Sequence, residues 1–320
     1  MVESKQVRPP NVDVRHGGHW HTLLPFLFRQ VSVTTVRQRI STPDDDFLDL
    51  DWAVEGHNRL AILCHGLEGN SQSQYMRGMV RACHDKKWDA LAINFRSCSG
   101  EINKRLHMYH HGETGDLQYI VDKVVADMGY SQVALVGFSL GGNVILKYLG
   151  TVRPIPEWVI GGAAISVPGH LASSAAALDE WQNQIYSLRF RLSLRKKLKQ
   201  KNDQYPGVLP LHKLQSCKTW YDFDNTFTTI INSFKSADEY YAQGSANNFL
   251  KGIERPSLII NALNDPFLRP PSYPFQLAQD NAYVHLKTPA KGGHVGFWYP
   301  GQRHSYAEEK SLSFFEGLST

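Results

Sequence analysis

Gln132-Val133-Ala134-Leu135-Val136-Gly137-Phe138-Ser139-Leu140-Gly141-Gly142-Asn143 is the stretch that decides the fold. Val133 to Val136 is an uninterrupted apolar run, the composition of a strand buried on both faces. Gly141 to Leu149 follows with helical spacing. Between them, Gly137-x-Ser139-x-Gly141 sets a serine on a sharp strand-to-helix turn. Such a turn crowds backbone against backbone, so small residues are needed two positions either side of the serine. It also exposes the hydroxyl and aims the positive end of the helix dipole at an oxyanion forming beside it. Glycine-flanked serines occur in many loops; the strand before and the helix after give this one chemical meaning.

The same alternation extends in both directions. Upstream, residues 31–40 and 47–52 read as early strands of a hairpin. Leu60 to Cys64 reads as a buried strand, 74–86 as a helix, 90–95 as a strand and 113–127 as a helix. Downstream, 159–166 is a further strand, after which the rhythm breaks. Residues 168–250 contain no convincing core strand, while charge and aromatic content rise together. The rhythm resumes with a strand at 256–263, a helix at 273–280, a strand at 283–286 and a helix at 305–315. Strands alternating with helices indicate an α/β fold with a mostly parallel central sheet flanked by helices. Residues 1–167 and 251–320 are then two parts of one core, and 168–250 a helical cap insertion.

A serine hydroxyl needs a base to take its proton. In sheets with such a turn the partners follow in the order serine, acid, histidine. The downstream histidines are His170, His212, His285, His294 and His304. His294 lies in Gly292-Gly293-His294-Val295-Gly296, a flexible loop after the last strand; His285 is inside that strand and His304 at the entry to the last helix. Asp265 in Asn264-Asp265-Pro266 follows the preceding strand, where the acid belongs. It would hold the histidine's tautomer and stabilise the imidazolium. One oxyanion donor is the backbone N–H of Leu140. The other is that of Leu67, in the loop opened by His65-Gly66, with His65 bracing that loop.

The rest of the composition narrows the choices. A net charge of +4 over 320 residues gives no reason to expect nucleic acid. The four cysteines, Cys64, Cys83, Cys98 and Cys217, form no Cys-x-x-Cys pair, so a reducing, cytoplasmic setting is the simpler expectation. No apolar run reaches the ~18 residues of a membrane span. His16, His19 and His21, and likewise His107, His110 and His111, cluster without a carboxylate at the usual spacing, so no metal is expected. Residues 189–201 carry seven basic side chains and no acidic one. They read first as a solvated helix with one apolar side, and second as a segment able to make peripheral contact with anionic lipid.

Taken with their neighbours, these residues resemble the YheT-like family of α/β hydrolases. The resemblance runs from about His19 to His294 through His65-Gly66-Leu67-Glu68-Gly69, Asn94-Phe95-Arg96, Gly112-Glu113-Thr114 and Gly137 to Asn143. It continues through Asp238-Glu239-Tyr240-Tyr241, Asp265-Pro266-Phe267 and Gly292 to Phe297. It implies the α/β-hydrolase fold, the same Ser139, Asp265 and His294 triad, and esterase chemistry on carboxylic esters. Relatives include enzymes that make or cleave medium-chain fatty-acid ethyl esters. Ser97 stands where the family often has glycine and His21 where it often has glutamine; both lie outside the triad, so these departures bear on how far the family's substrate preference carries over, and not on catalysis. The expected activity is a serine carboxylesterase acting without a cofactor on short- to medium-chain acyl esters. Two other readings stay open: acyl transfer to an alcohol by the same residues, and a non-catalytic ligand-binding protein. The second would not be labelled by an active-site phosphonate. Oligomeric state is not legible.

Overall fold

Short apolar runs flanked by turn residues assemble into one eight-stranded sheet, ordered β1-β2-β4-β3-β5-β6-β7-β8. The computed structural model describes residues 17–318. A leading helix α1 (Gly18–Phe28) precedes β1 (Val36–Ser41), β2 (Phe47–Ala53), β3 (Arg59–Cys64), α2 (Gln74–Asp85) and β4 (Asp89–Asn94). Then come α3 (Gly115–Tyr119), β5 (Gln132–Phe138), α4 (Leu140–Thr151) and β6 (Val159–Ile165). Five α-helices separate β6 from β7 among the described residues, with 3-10 and π-helical turns among them: α5 (Leu171–Asp179), α6 (Gln184–Gln204), α7 (Trp220–Phe223), α8 (Thr229–Asn232) and α9 (Ala237–Gly244). The chain closes with β7 (Ser257–Ile260), α10 (Phe275–Asp280), β8 (Val284–Lys287) and α11 (Tyr306–Glu316).

From β4 onward across the sheet every pairing is parallel; β1 with β2 and β2 with β4 are antiparallel. Alternation explains how both faces are covered. Leu60, Ile62, Val133 and Leu135 feed the hydrophobic cluster on one face, and Ala61, Leu63, Ala134 and Val136 feed that on the other. The hairpin register is held by charge. Arg37 and Arg39 stand opposite Asp51 and Asp49 and grip them in forked bonds of 2.7–2.8 Å.

Two sequence expectations shift, and one helix is added. Residues 31–35 lie outside β1. The helix expected over 113–127 begins as α3 and passes into a π-helical turn, Ile120–Val125. Helix α1 answers to no element read from the sequence; Pro25 stands inside it, and its last turn closes with Arg29 N–H donating to Pro25 O at 3.1 Å.

Candidate active site

Ser139 sits between β5 and α4 with φ +53° and ψ −116°, outside the relaxed regions for an L-residue. Close packing explains the glycines around it. A β-carbon on Gly137 would lie 2.3 Å from Gly141 O, and one on Gly141 would lie 2.3 Å from Cys64 O. No side chain fits at either position, so the turn is compressed on both sides of the serine.

The structure brings Ser139, His294 and Asp265 into one hydrogen-bonded chain. Ser139 Oγ is 2.9 Å from His294 Nε2, and His294 Nδ1 is 2.9 Å and 3.1 Å from the two carboxylate oxygens of Asp265. Asp265 is buried, and its Oδ1 also accepts from Phe267 N–H at 2.9 Å. A carboxylate on Nδ1 holds the proton there and turns the Nε2 lone pair toward the serine. The Phe267 ring covers the imidazole, with centroids 4.3 Å apart.

The loop that carries His294 is fastened by residues whose role there the sequence does not show. Asn264 Oδ1 accepts from Gly292 N–H and Gly293 N–H, both at 3.0 Å, and its amide meets His21 Nδ1 at 2.8 Å. Thr22 Oγ1 accepts from His294 N–H at 2.9 Å, and Ser166 Oγ from Val295 N–H at 2.9 Å. Gly293 takes φ +60°, and a β-carbon there would strike the Thr22 backbone at 2.6 Å. Thr22 and His21, at the start of helix α1, therefore help to position the histidine. His21 braces this loop, which gives that departure from the family pattern a structural role. Ser97, the other departure, takes φ +65°, where glycine is at ease, and its hydroxyl is bound to Asn103 at 2.5 Å.

The loop after β3 lies against the serine. A β-carbon on Gly66 would be 3.2 Å from Ser139 Cβ. Gly66 N–H donates to Tyr75 Oη at 3.1 Å and Glu68 N–H to Tyr109 Oη at 2.8 Å, with Leu67 N–H between them. Leu140 opens α4 at the serine's other side. His65 is wholly buried; its Nε2 accepts from Phe95 N–H at 3.1 Å and its Nδ1 meets Gly66 O at 2.7 Å. Burial pushes its pKa down to about 4, so it stays neutral in this bracing geometry.

Ser139 and His294 open on a cavity of about 680 Å³. Of the aromatic side chains in the 168–250 segment, Tyr186, Phe190, Trp220, Phe223, Tyr240 and Tyr241 line it. Phe227 is buried elsewhere in the segment's packing, and Trp181 and Tyr221 are exposed. Asp224 also lines the cavity; burial pushes its carboxyl up to about 6 against the hydrogen bonds from Thr228 and Tyr241.

Among the described residues, His107, His110 and Glu113 bring ligand atoms within 4.8 Å of one another, a group able to hold a metal ion. His19 stacks on Tyr186, and His16 lies outside the described residues. His107 and His110 do have a carboxylate neighbour that spacing alone had hidden, Glu113, at 2.8 Å and 3.7 Å. His110 Nδ1 accepts from Gly112 N–H at 3.1 Å, which places the ring proton on Nε2, facing Glu113 as a donor. His111 Nδ1 turns instead to Tyr240 Oη at 2.8 Å. All four cysteines are free and buried. No helix among the described residues is long and apolar enough to cross a membrane.

A serine on a strand-to-helix turn, facing a histidine over a mostly parallel sheet, is the layout of an α/β hydrolase, an enzyme class. A family model described as the α/β hydrolase fold matches residues 61–300. An esterase of Pyrococcus furiosus shares the fold at a TM-score of 0.60 and 17% identity, over 90% of this chain and 98% of that one. The protein of Escherichia coli (strain K12) named "Putative esterase YheT" is 36% identical over 296 residues, 87% of this chain and 84% of its own. The chain belongs to the YheT-like family of α/β hydrolases. It is also similar to phospholipase ABHD3 of Mus musculus, at 26% identity over 86% of this chain and 69% of that protein. The monoacylglycerol lipase of Saccharomyces cerevisiae is 29% identical, over 83% of this chain and 60% of its own.

Proposed function

We propose that this chain is a serine carboxylesterase with Ser139 as nucleophile, His294 as general base and Asp265 as the acid that orients it. The observation that carries the reading is the chain of contacts from Ser139 Oγ through the imidazole to the buried carboxylate. His294 Nε2 takes the serine proton as Oγ attacks the ester carbonyl. The N–H groups of Leu67 and Leu140 stabilise the tetrahedral oxyanion. His294 then returns the proton to the departing alcohol, and water repeats both steps on the acyl-enzyme, releasing the acid. These steps use no cofactor.

The helical segment 168–250 acts in this reading as a cap whose inner aromatics enclose a short- to medium-chain acyl group. Relatives named esterase, phospholipase and monoacylglycerol lipase support ester substrates. Acyl transfer to an alcohol would use the same residues, differing only in what attacks the acyl-enzyme. Four free buried thiols accord with a reducing, cytoplasmic setting.

The test is covalent. An alkyl phosphonate with a good leaving group should label the protein once, at Ser139, with matching loss of p-nitrophenyl ester hydrolysis. Ser139→Ala should take no label. Labelling elsewhere, or a non-catalytic protein that takes none, would overturn the assignment.

A further inference from the structure

Six large apolar side chains are each more than half exposed on two adjoining helices: Phe26, Leu27 and Phe28 at the end of α1, and Ile185, Leu188 and Leu192 on α6. The helices meet there. The Arg189 guanidinium lies 4.8 Å over the Phe26 ring, and His19 stacks on Tyr186 at 5.7 Å. Single exposed apolar residues are ordinary, whereas a cluster of this kind marks an interaction site.

Its position says what kind. Phe26, Ile185 and Arg189 line the cavity and are also exposed, so the cavity opens within the cluster. A protein seated there would close the entrance; a lipid surface could deliver an acyl chain through it. Charge agrees with this. One turn on from Leu192, the same exposed stripe of α6 continues as Arg195, Lys196 and Lys199, with no acidic residue between 189 and 201. The other basic side chains of that stretch turn inward or are engaged: Arg191 on Asp179, Lys197 on Glu68, and Lys201 buried on the carbonyls of Asn103 and Arg105. Exposed basic side chains next to an exposed apolar cluster add electrostatic attraction for an anionic bilayer to the burial of the apolar groups.

We infer that the α1–α6 face docks this protein on an anionic lipid surface, with the cavity mouth against the acyl layer. The inference rests on the ester-hydrolase reading for its purpose, and on the exposed face alone for its binding. The full chain should co-sediment with phosphatidylcholine vesicles that contain phosphatidylglycerol, and more weakly with phosphatidylcholine alone. Leu27→Asp/Phe28→Asp and Leu188→Asp/Leu192→Asp, none of which lines the cavity, should weaken that binding at least ~10-fold. Both should keep wild-type hydrolysis of a water-soluble p-nitrophenyl ester. Arg195→Ala/Lys196→Ala/Lys199→Ala should bind the anionic vesicles no more strongly than the neutral ones and leave the weaker neutral binding unchanged. The inference fails if the wild type stays in the supernatant with both vesicles, or if the aspartate variants bind undiminished. It fails also if sedimentation velocity shows a dimer that those variants dissociate, because a second copy then covers the face. Loss of soluble-ester hydrolysis in the wild type would instead count against the enzymatic reading and leave the vesicle result standing.

Discussion

Lys197 Nζ lies 2.7 Å from Glu68 Oε1, a largely buried ion pair that joins helix α6 to the loop carrying Leu67. Ser193 and Tyr109 hydroxyls bind the same carboxylate, and Glu68 itself is held at φ +53°. Removing Lys197 leaves the Glu68 charge without its counter-charge, held by the two hydroxyls alone; breaking a buried ion pair in this way costs up to about 3–5 kcal/mol. Because Leu67 N–H is one residue away, the loss should reach the oxyanion contact as well as stability. Lys197→Met is expected to lower Tm and to reduce kcat about tenfold with a smaller change in KM. Lys197→Arg should recover much of both. Unchanged kcat in a destabilised Lys197→Met would leave the pair a purely structural tie.

The acid can be tested against its rivals. Asp265→Asn should lower kcat at least ~10³-fold, since an amide neither stabilises the imidazolium nor fixes the correct tautomer. Asp238 is engaged with Tyr221 Oη at 2.9 Å, and Asp280 with Gln276 at the end of α10. Asp238→Asn and Asp280→Asn should therefore be near wild type. Steady-state kinetics of the three variants on one p-nitrophenyl ester decides it, and a loss confined to either rival would move the acid.

Thr22→Val removes the acceptor for His294 N–H and keeps the side chain's shape. A backbone donor left without its partner costs about 1–3 kcal/mol, here in the loop that sets the imidazole's position. The expected result is a kcat several-fold to tenfold lower at nearly constant KM. Thr22→Ser should largely restore it. Equal kinetics for valine and threonine would mean that the loop is positioned by Asn264 and Ser166 alone.

What could be seen in the sequence followed from local pattern. Residues 132–138 were marked because an apolar run met a Gly-x-Ser-x-Gly turn, and β5 occupies that span. Asp265 and His294 were marked because each follows a readable strand within a turn-forming sequence. Thr22 left no such mark: it meets His294 across 272 positions, from helix α1. Lys201 was equally hidden. A lysine in a basic run reads as solvated, yet this one is buried, and burial lowers its pKa to about 8. Contacts made by the fold, rather than by neighbours in the chain, account for these residues.

Asp224 makes a prediction about pH. Burial raises its folded-state pKa to about 6 from 3.8, so the folded protein holds this proton more tightly than the unfolded chain. The stabilisation is complete below about pH 4 and is lost as pH rises through about 6. Other carboxylates, such as Asp44 with its pKa lowered to about 2 beside Arg96, act in the opposite sense at lower pH. The difference between proteins is therefore the clean readout. Between pH 4 and 7 the Tm of the wild type should fall relative to that of Asp224→Asn. A constant difference across that range would show that Asp224 titrates alike in both states.

The cavity sets the last expectation. It is enclosed by Tyr186, Phe190, Trp220 and Phe223, with Leu194 and Leu198 from α6. Each methylene buried in such a space gains about 0.8 kcal/mol, roughly a fourfold factor, for as long as the wall follows the chain. From p-nitrophenyl acetate upward, kcat/KM should climb with acyl length and then fall once the cavity is full. Trp220 and Phe223 also pack the helical segment, so Phe190, which is only partly buried, is the better residue to truncate. Phe190→Ala should leave acetate within about twofold and change the longer esters by tenfold or more, shifting the optimum toward longer chains as the wall recedes. A strict preference for acetate, indifferent to Phe190→Ala, would remove the acyl-pocket reading and leave the assignment of Ser139, His294 and Asp265 to stand or fall on its own tests.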